Sequence, residues 1–123
     1  MQRCLPLRYS QETLWPKRAL AGAWAARAIF EFAKALGIKV LTADPEPESF
    51  DNLDTLTEEY KVKIAIHNHG PNARYNTVQD TIDAIKDHSP LIGACVDTGH
   101  AIRSNEKPHE VLAALGDQQN IAR

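Results

Sequence analysis

Between residues 17 and 36 the polar residues Arg27, Glu31 and Lys34 recur at i, i+4 and i+7, while Ala25, Ile29, Phe32, Ala33 and Leu36 fill the opposite stripe. This spacing predicts an amphipathic helix, stopped by Gly37 in the left-handed position with Ile38 packing back on the last turn. The next run, IKVLTA (38–43), is short and β-rich and ends at Asp44-Pro45, which predicts a buried strand. Ser49 is the expected cap of a second helix, whose apolar positions Phe50, Leu53, Leu56 and Tyr60 lie about a turn apart and which ends near Lys61. VKIAIHNH (62–69) reads as a second strand, and Asn76 or Thr77 as the start of a third helix through TVQDTIDAIKD. PLIGACVD (90–97) reads as a third strand, Thr98-Gly99-His100 as a turn, and Pro108 as the first turn of a last helix that Gly116 stops.

The expected order is α-β-α-β-α-β-α, with strands starting near 38, 62 and 91, so that successive starts are 24 and 29 residues apart. Such alternation, with short and almost continuously apolar strands, points to an α/β fold of about three parallel βα units covered by helices. Residues 1–16, with Arg3, Pro6, Arg8 and Pro16, carry no period and are expected to form an irregular N-terminal arm. Composition narrows the class. With 123 residues, 43% hydrophobic and 24% charged, the chain has room for one domain and a core. A formal net charge of −2 lacks the basic excess of a protein held to nucleic acid through phosphates, so no nucleic-acid partner is expected. The longest apolar run, Ala19 to Ala26, is far short of the roughly 18 residues of a membrane span, and the charges that follow it at helical spacing argue against a signal peptide. Cys4 and Cys95 are read as reduced thiols, which fits a cytoplasmic location.

Chemistry concentrates at the strand ends. Side chains alternate along a strand, so His67 and His69 share one face of the second strand and emerge together at its carboxyl end. Asp97 closes the third strand, with His100 three residues on. Ligands of α/β folds bind beyond the carboxyl ends of the strands, where all four residues fall. One carboxylate with several imidazoles suits a divalent ion such as Mn²⁺, Zn²⁺, Co²⁺ or Fe²⁺. Against this stands a purely structural role: Asp97 and His100 as caps of the following turn, His67 and His69 as hydrogen-bonded strand-end residues. His88 and His109 are read as solvated surface residues, and Trp15, Trp24, Phe30 and Phe32 as core. Glu46, Glu48, Asp51, Asp54, Glu58 and Glu59 read as a solvated acidic face. Arg74 and Tyr75 would reach an anionic substrate only if their loop folds over the strand ends.

The runs AIHNHGP (65–71), RYNTVQDTIDAIKDHSPLIGACVDTGHAIRSNEKPHEVLAAL (74–115) and EFAKALGIKVLTADPEPES (31–49) resemble the sugar phosphate isomerase/epimerase family, whose members are xylose isomerase-like TIM barrels. The resemblance covers roughly 17–116, and HNHGP and GACVDTGHAIRS are its most specific blocks. It implies that 17–123 is a partial (β/α)₈ barrel. It also implies a divalent metal ion, with Mg²⁺ added to the candidates Mn²⁺, Zn²⁺ and Co²⁺, that assists isomerisation or epimerisation of a small-molecule sugar or sugar phosphate. Asp97 matches the family's metal-binding aspartate in D-x-x-H, and His100 a histidine that contacts substrate. His67 and His69 match the HNH block of one subgroup, which leads to Asp97 and His69 as expected metal ligands and His100 and His67 as expected substrate contacts. Where better-studied relatives carry a metal-binding glutamate, this chain has a residue at or near Ala65. No catalytic base is assigned, because the family's base stands on a later strand.

A full barrel takes about 250 residues, so the chain is expected to be a fragment completed by a homo-oligomer or by a missing complementary segment. Two other functions fit the same residues: a metal-dependent phosphodiester hydrolase of the endonuclease type, since a GxCxDTxH-like segment occurs there too, and a non-catalytic remnant.

Overall fold

The computed structural model describes residues 19–116, with the side chains of 19–22 left aside. The irregular arm expected over 1–16, together with Cys4 and Trp15, lies outside the described residues. Helix α1 runs Ala19–Ala35 and strand β1 Val40–Ala43, and a turn of 3₁₀ helix at Pro47–Ser49 leads into α2, Phe50–Tyr60. Strand β2 is Lys63–His67, α3 Val78–Ile85 and β3 Ile92–Cys95; α4 (Thr98–Arg103) and α5 (Pro108–Gly116) follow.

The three strands form one parallel sheet in the order β1-β2-β3, with Leu41 beside Ile64 and Ile64 beside Ile92. The mixed α/β class and the three parallel units expected from the spacing are present. Leu41, Ile64, Ile66 and Ile92 pack under Ala26, Phe30 and Ala33 of α1 and Phe50, Leu53 and Leu56 of α2, forming the main core. A second cluster joins Ala94 of β3 to Val78 of α3, Ala101 of α4, and Val111 and Leu115 of α5. Among the described residues no helix is long and apolar enough to cross a membrane.

The caps account for most boundaries. Gly37 takes φ +70°, its N–H reaches the Lys34 carbonyl, and the Ile38 N–H reaches Ala33, which together satisfy the last carbonyls of α1. Thr77 caps α3 in a reciprocal pair: its hydroxyl accepts from the Asp80 N–H, and the Asp80 carboxylate accepts from the Thr77 N–H. Two expectations are corrected. Ser49 precedes α2 but is already helical at φ −91°, ψ −11°, so its hydroxyl donates backward to the Glu46 carbonyl at 2.6 Å instead of accepting from the helix. Pro47 is the reason, because its fixed φ starts the 3₁₀ turn before Ser49 is reached. Residues 98–100 are the first turn of α4 and no simple turn, since Asp97 stands in extended geometry and caps them.

A methyl group at Gly37 would meet no atom within 4 Å, so only its positive φ resists substitution. Gly37→Ala is expected to destabilise the fold by about 1–2 kcal/mol, read by urea denaturation, with an unchanged denaturant slope.

Candidate metal centre at the strand ends

The site begins with an amide. Asn68, one residue beyond β2 and 1% exposed, uses both ends of its side chain on the backbone of Asp97. Its Oδ1 accepts from the Asp97 N–H at 2.7 Å, and its Nδ2 donates to the Asp97 carbonyl at 3.0 Å. This pair holds the end of β3 against the end of β2 after the ladder has finished, and it places Asp97 beside His67.

The Asp97 carboxylate divides its work. Oδ1 accepts the His100 N–H at 3.0 Å and so caps α4. Oδ2 lies 3.3 Å from His67 Nε2 and 3.9 Å from His100 Nε2. The hydrogen bond from the His100 N–H is the main reason the Asp97 carboxyl is held below its ordinary value; partial burial opposes it and the His67 ring adds to it. Burial is the leading cause that pushes His100 below the usual imidazole range. Asp97 opposes that shift, and His69, Arg103 and His67 add to it. Arg103 donates to His100 Nδ1 at 3.2 Å; because a guanidinium has only donors, this contact keeps Nδ1 as acceptor and puts the ring proton on Nε2, facing Asp97.

His67, Asp97 and His100 each offer an atom within 4.8 Å of the others, a spacing that suits one cation, and all three are half-buried. His69 is exposed at the rim, its ring stacked on His100 at 4.7 Å and edge-on to His67 at 5.3 Å. All four expected residues are therefore brought together, with His67 nearer the carboxylate than His69. The donor set, one carboxylate and two imidazoles, fits a divalent transition ion. For His100 to take part, its Nε2 proton must shift or leave and Arg103 must withdraw. Ala65, at 0% exposure between Thr42 and Gly93 in the sheet, offers no ligand atom.

The loop after β2 passes close beneath the rings. Gly70 has φ +86°, and a Cβ there would come within 3.3 Å of His100 Nδ1. Beyond it the loop turns towards β1: the buried Tyr75 hydroxyl donates to the Pro45 carbonyl at 2.7 Å. Burial, then Asp44, pushes that phenol up to about 12, with Arg74 opposing. Arg74 faces Asp44 and Glu46 at 3.7 and 3.4 Å, so its charge is met by carboxylates and not turned to the histidines.

Three other readings are corrected. His88 is half-buried: Nδ1 lies 2.8 Å from Asp54 Oδ2, and its ring stacks on Phe50 at 4.6 Å. Asp54, placed on the acidic face, is half-buried and uses its second oxygen to accept the Ser89 N–H at 2.7 Å, clamping the turn before β3 onto α2. With Asp51 these residues are a second group at metal-ligand spacing; Asp51 is exposed, and the Asp54–His88 contact is shorter than that between Asp97 and His67. Trp24 and Phe32, expected in the core, are 76% and 63% exposed, whereas Phe30 is buried. His109 is exposed, as expected. Asn68 was missed by sequence reasoning. The available signal was its parity, because alternation turns it away from His67 and His69, and a buried amide needs partners.

A three-stranded parallel α/β layer carrying a carboxylate–imidazole cluster at its strand ends is the class these features define. No family model matches the chain, and no curated protein matches it. Three solved chains do. One is the crystal structure of an uncharacterized protein from Parabacteroides distasonis ATCC 8503, 31% identical and with a TM-score of 0.61 over 78% of this chain. The chain spans 38% of the length of that protein.

Asn68→Ala is expected to cost about 1–2 kcal/mol, because it leaves the part-buried Asp97 N–H without its acceptor and the Asp97 carbonyl with the Ala101 N–H alone, as checked by chemical denaturation. The pH dependence has a defined sign. Both Asp97 and His100 titrate lower in the fold than in the unfolded chain, so each lends stability that is full above its unfolded value and lost as pH falls. Acidification from neutrality should lower stability first below the ordinary imidazole range, near 6.5, and again through the carboxylate range. In denaturation midpoints measured across pH, His100→Asn should remove the first stage, and Asp97→Asn should reduce the second, to which Glu58 beside Lys61 and Glu59 beside Arg27 also contribute.

Proposed function

We propose that the chain is a segment of a metal-dependent sugar or sugar phosphate isomerase or epimerase of the xylose isomerase-like barrel type. The observation that carries this reading is the meeting of His67, Asp97 and His100 at the carboxyl ends of adjacent parallel strands, within 4.8 Å. The HNHGP and GACVDTGHAIRS blocks support it, since they are the segments that build this cluster. The match to part of a much longer solved chain is compatible with a larger fold. The three units would then form part of a (β/α)₈ barrel whose helices lie on the face covered by α1, α2 and α3.

Asp97 and His67 would hold the divalent ion, with His100 as third donor. When bound, such an ion polarises a carbonyl or hydroxyl oxygen of the substrate. The protein's own contribution is to position and exclude. Asn68 fixes the carboxylate, Gly70 brings the loop under the His100 ring, and His69 presents an exposed imidazole at the mouth, where it can donate to a substrate hydroxyl. The acidic partners of Arg74 argue for a neutral sugar over a phosphorylated one at that side of the site.

Titrating Mn²⁺, Co²⁺ or Zn²⁺ into the purified chain by calorimetry tests the metal reading. One site per chain is expected, weakened at least about tenfold by either His67→Ala or Asp97→Ala. His69→Ala should leave metal affinity within about threefold, in keeping with its rim position. A wild-type chain that takes up no ion would overturn the proposal. Turnover is to be sought with aldoses and ketoses once the ion is loaded.

A further inference from the structure

Helix α1 is apolar around far more of its circumference than the fold covers. At about 100° per residue, its charged residues Arg27, Glu31 and Lys34 fall within a wedge of about 60°. All three are directed to α2: Arg27 donates to Glu59 at 2.7 Å and to the Tyr60 hydroxyl at 3.0 Å, Tyr60 donates to Glu31, and the Lys34 ammonium lies over the Tyr60 ring. On one side of this wedge Ala26, Phe30 and Ala33 are buried in the core. On the other side a second apolar stripe faces solvent, with Trp24 76%, Phe32 63% and Leu36 60% exposed and Ala28 and Ala35 exposed between them. Among the described residues the other large exposed apolar side chains, Ile102 and Leu112, stand singly on α4 and α5, as is common on any surface.

The geometry points to a second copy of this chain as the occupant of that stripe, with α1 packed antiparallel on its counterpart about a two-fold axis near Ala28. Three features favour this partner. The stripe carries no charge, so nothing in it repels an identical stripe, and the charges beside it are already engaged within the chain. Large and small residues alternate by a turn, and Trp24 and Phe32 lie four residues to either side of Ala28; antiparallel pairing there sets each Trp24 against the Phe32 of the other copy, while the facing alanines allow close approach. Finally, aromatic side chains bring roughly 150–250 Å² each, so two rings from each copy with Leu36 and the alanines reach on the order of 1,000 Å². That is the lower end of specific interfaces, so a dimer in the micromolar range is expected. The surface lies on α1 and owes nothing to the histidine site, so its test is independent of metal binding.

Sedimentation velocity of the full chain over a concentration series should show a monomer–dimer equilibrium. Trp24→Glu and Phe32→Glu should each weaken it by about tenfold or more, with the helical circular dichroism kept because both side chains are exposed. Under mild oxidation Ala28→Cys should yield covalent dimer well above the background set by the native cysteines, and Ala35→Cys far less. A chain that stays monomeric at every concentration, or a dimer that both charged variants leave intact, overturns the proposal. Preferential cross-linking at position 35 overturns the two-fold at Ala28. Binding of the monomer to phosphatidylcholine vesicles that is abolished by Trp24→Glu would assign the stripe to a lipid surface and overturn it as well.

Discussion

The hydrogen-bonded clasp between the Asn68 side chain and the Asp97 backbone is the contact on which the strand-end site depends. Parallel strands bring their carboxyl ends to one edge, but the ladder stops at His67 and Cys95, short of Asp97 and His100. Without a further constraint, two chain ends leaving a sheet would diverge, and the Asp97 N–H would lose its acceptor. A buried amide supplies one donor and one acceptor at the right separation, so the sheet is in effect prolonged by a side chain. Asp97 then inherits both a fixed backbone and a neighbour, and the His67 ring falls against its carboxylate.

Around this point the fold divides labour between its two apolar clusters. The larger, under α1 and α2, supports β1 and β2 and hence His67. The smaller, between β3, α3, α4 and α5, supports Asp97 and His100. Polar clasps tie the units together on the opposite side as well, where Asp54 grips the turn at His88 and Ser89.

Much of the element order was legible from sequence because it rests on local signals: Gly37 after an apolar-periodic run, Thr77 followed three residues later by Asp80, Pro108 before HEVLAAL. Ser49 misled because a cap depends on where the helix has already begun, and Pro47 had begun it. The cluster of His67, His69, Asp97 and His100 was legible as a neighbourhood from strand parity. Its internal order was not, since which imidazole stands nearest the carboxylate depends on Asn68, Gly70 and Arg103, none of which has a periodic signature. The exposure of Trp24 and Phe32 was hidden for a different reason. A helix with two apolar stripes reads like a helix with one wide stripe, and only the position of α2 decides which of them is covered.

The division of Asp97 between two tasks has a further consequence. Its Oδ1 holds the first turn of a helix only six residues long, while its Oδ2 faces the imidazoles. So short a helix has little cooperativity of its own, and its opening is governed by its cap. Any occupant of the imidazole side that locks the carboxylate rotamer therefore slows fraying of α4, and the two equilibria are thermodynamically linked. The amide hydrogens of 101–104 are in this way a built-in gauge, and their exchange with solvent registers what sits among the histidines without any probe being attached.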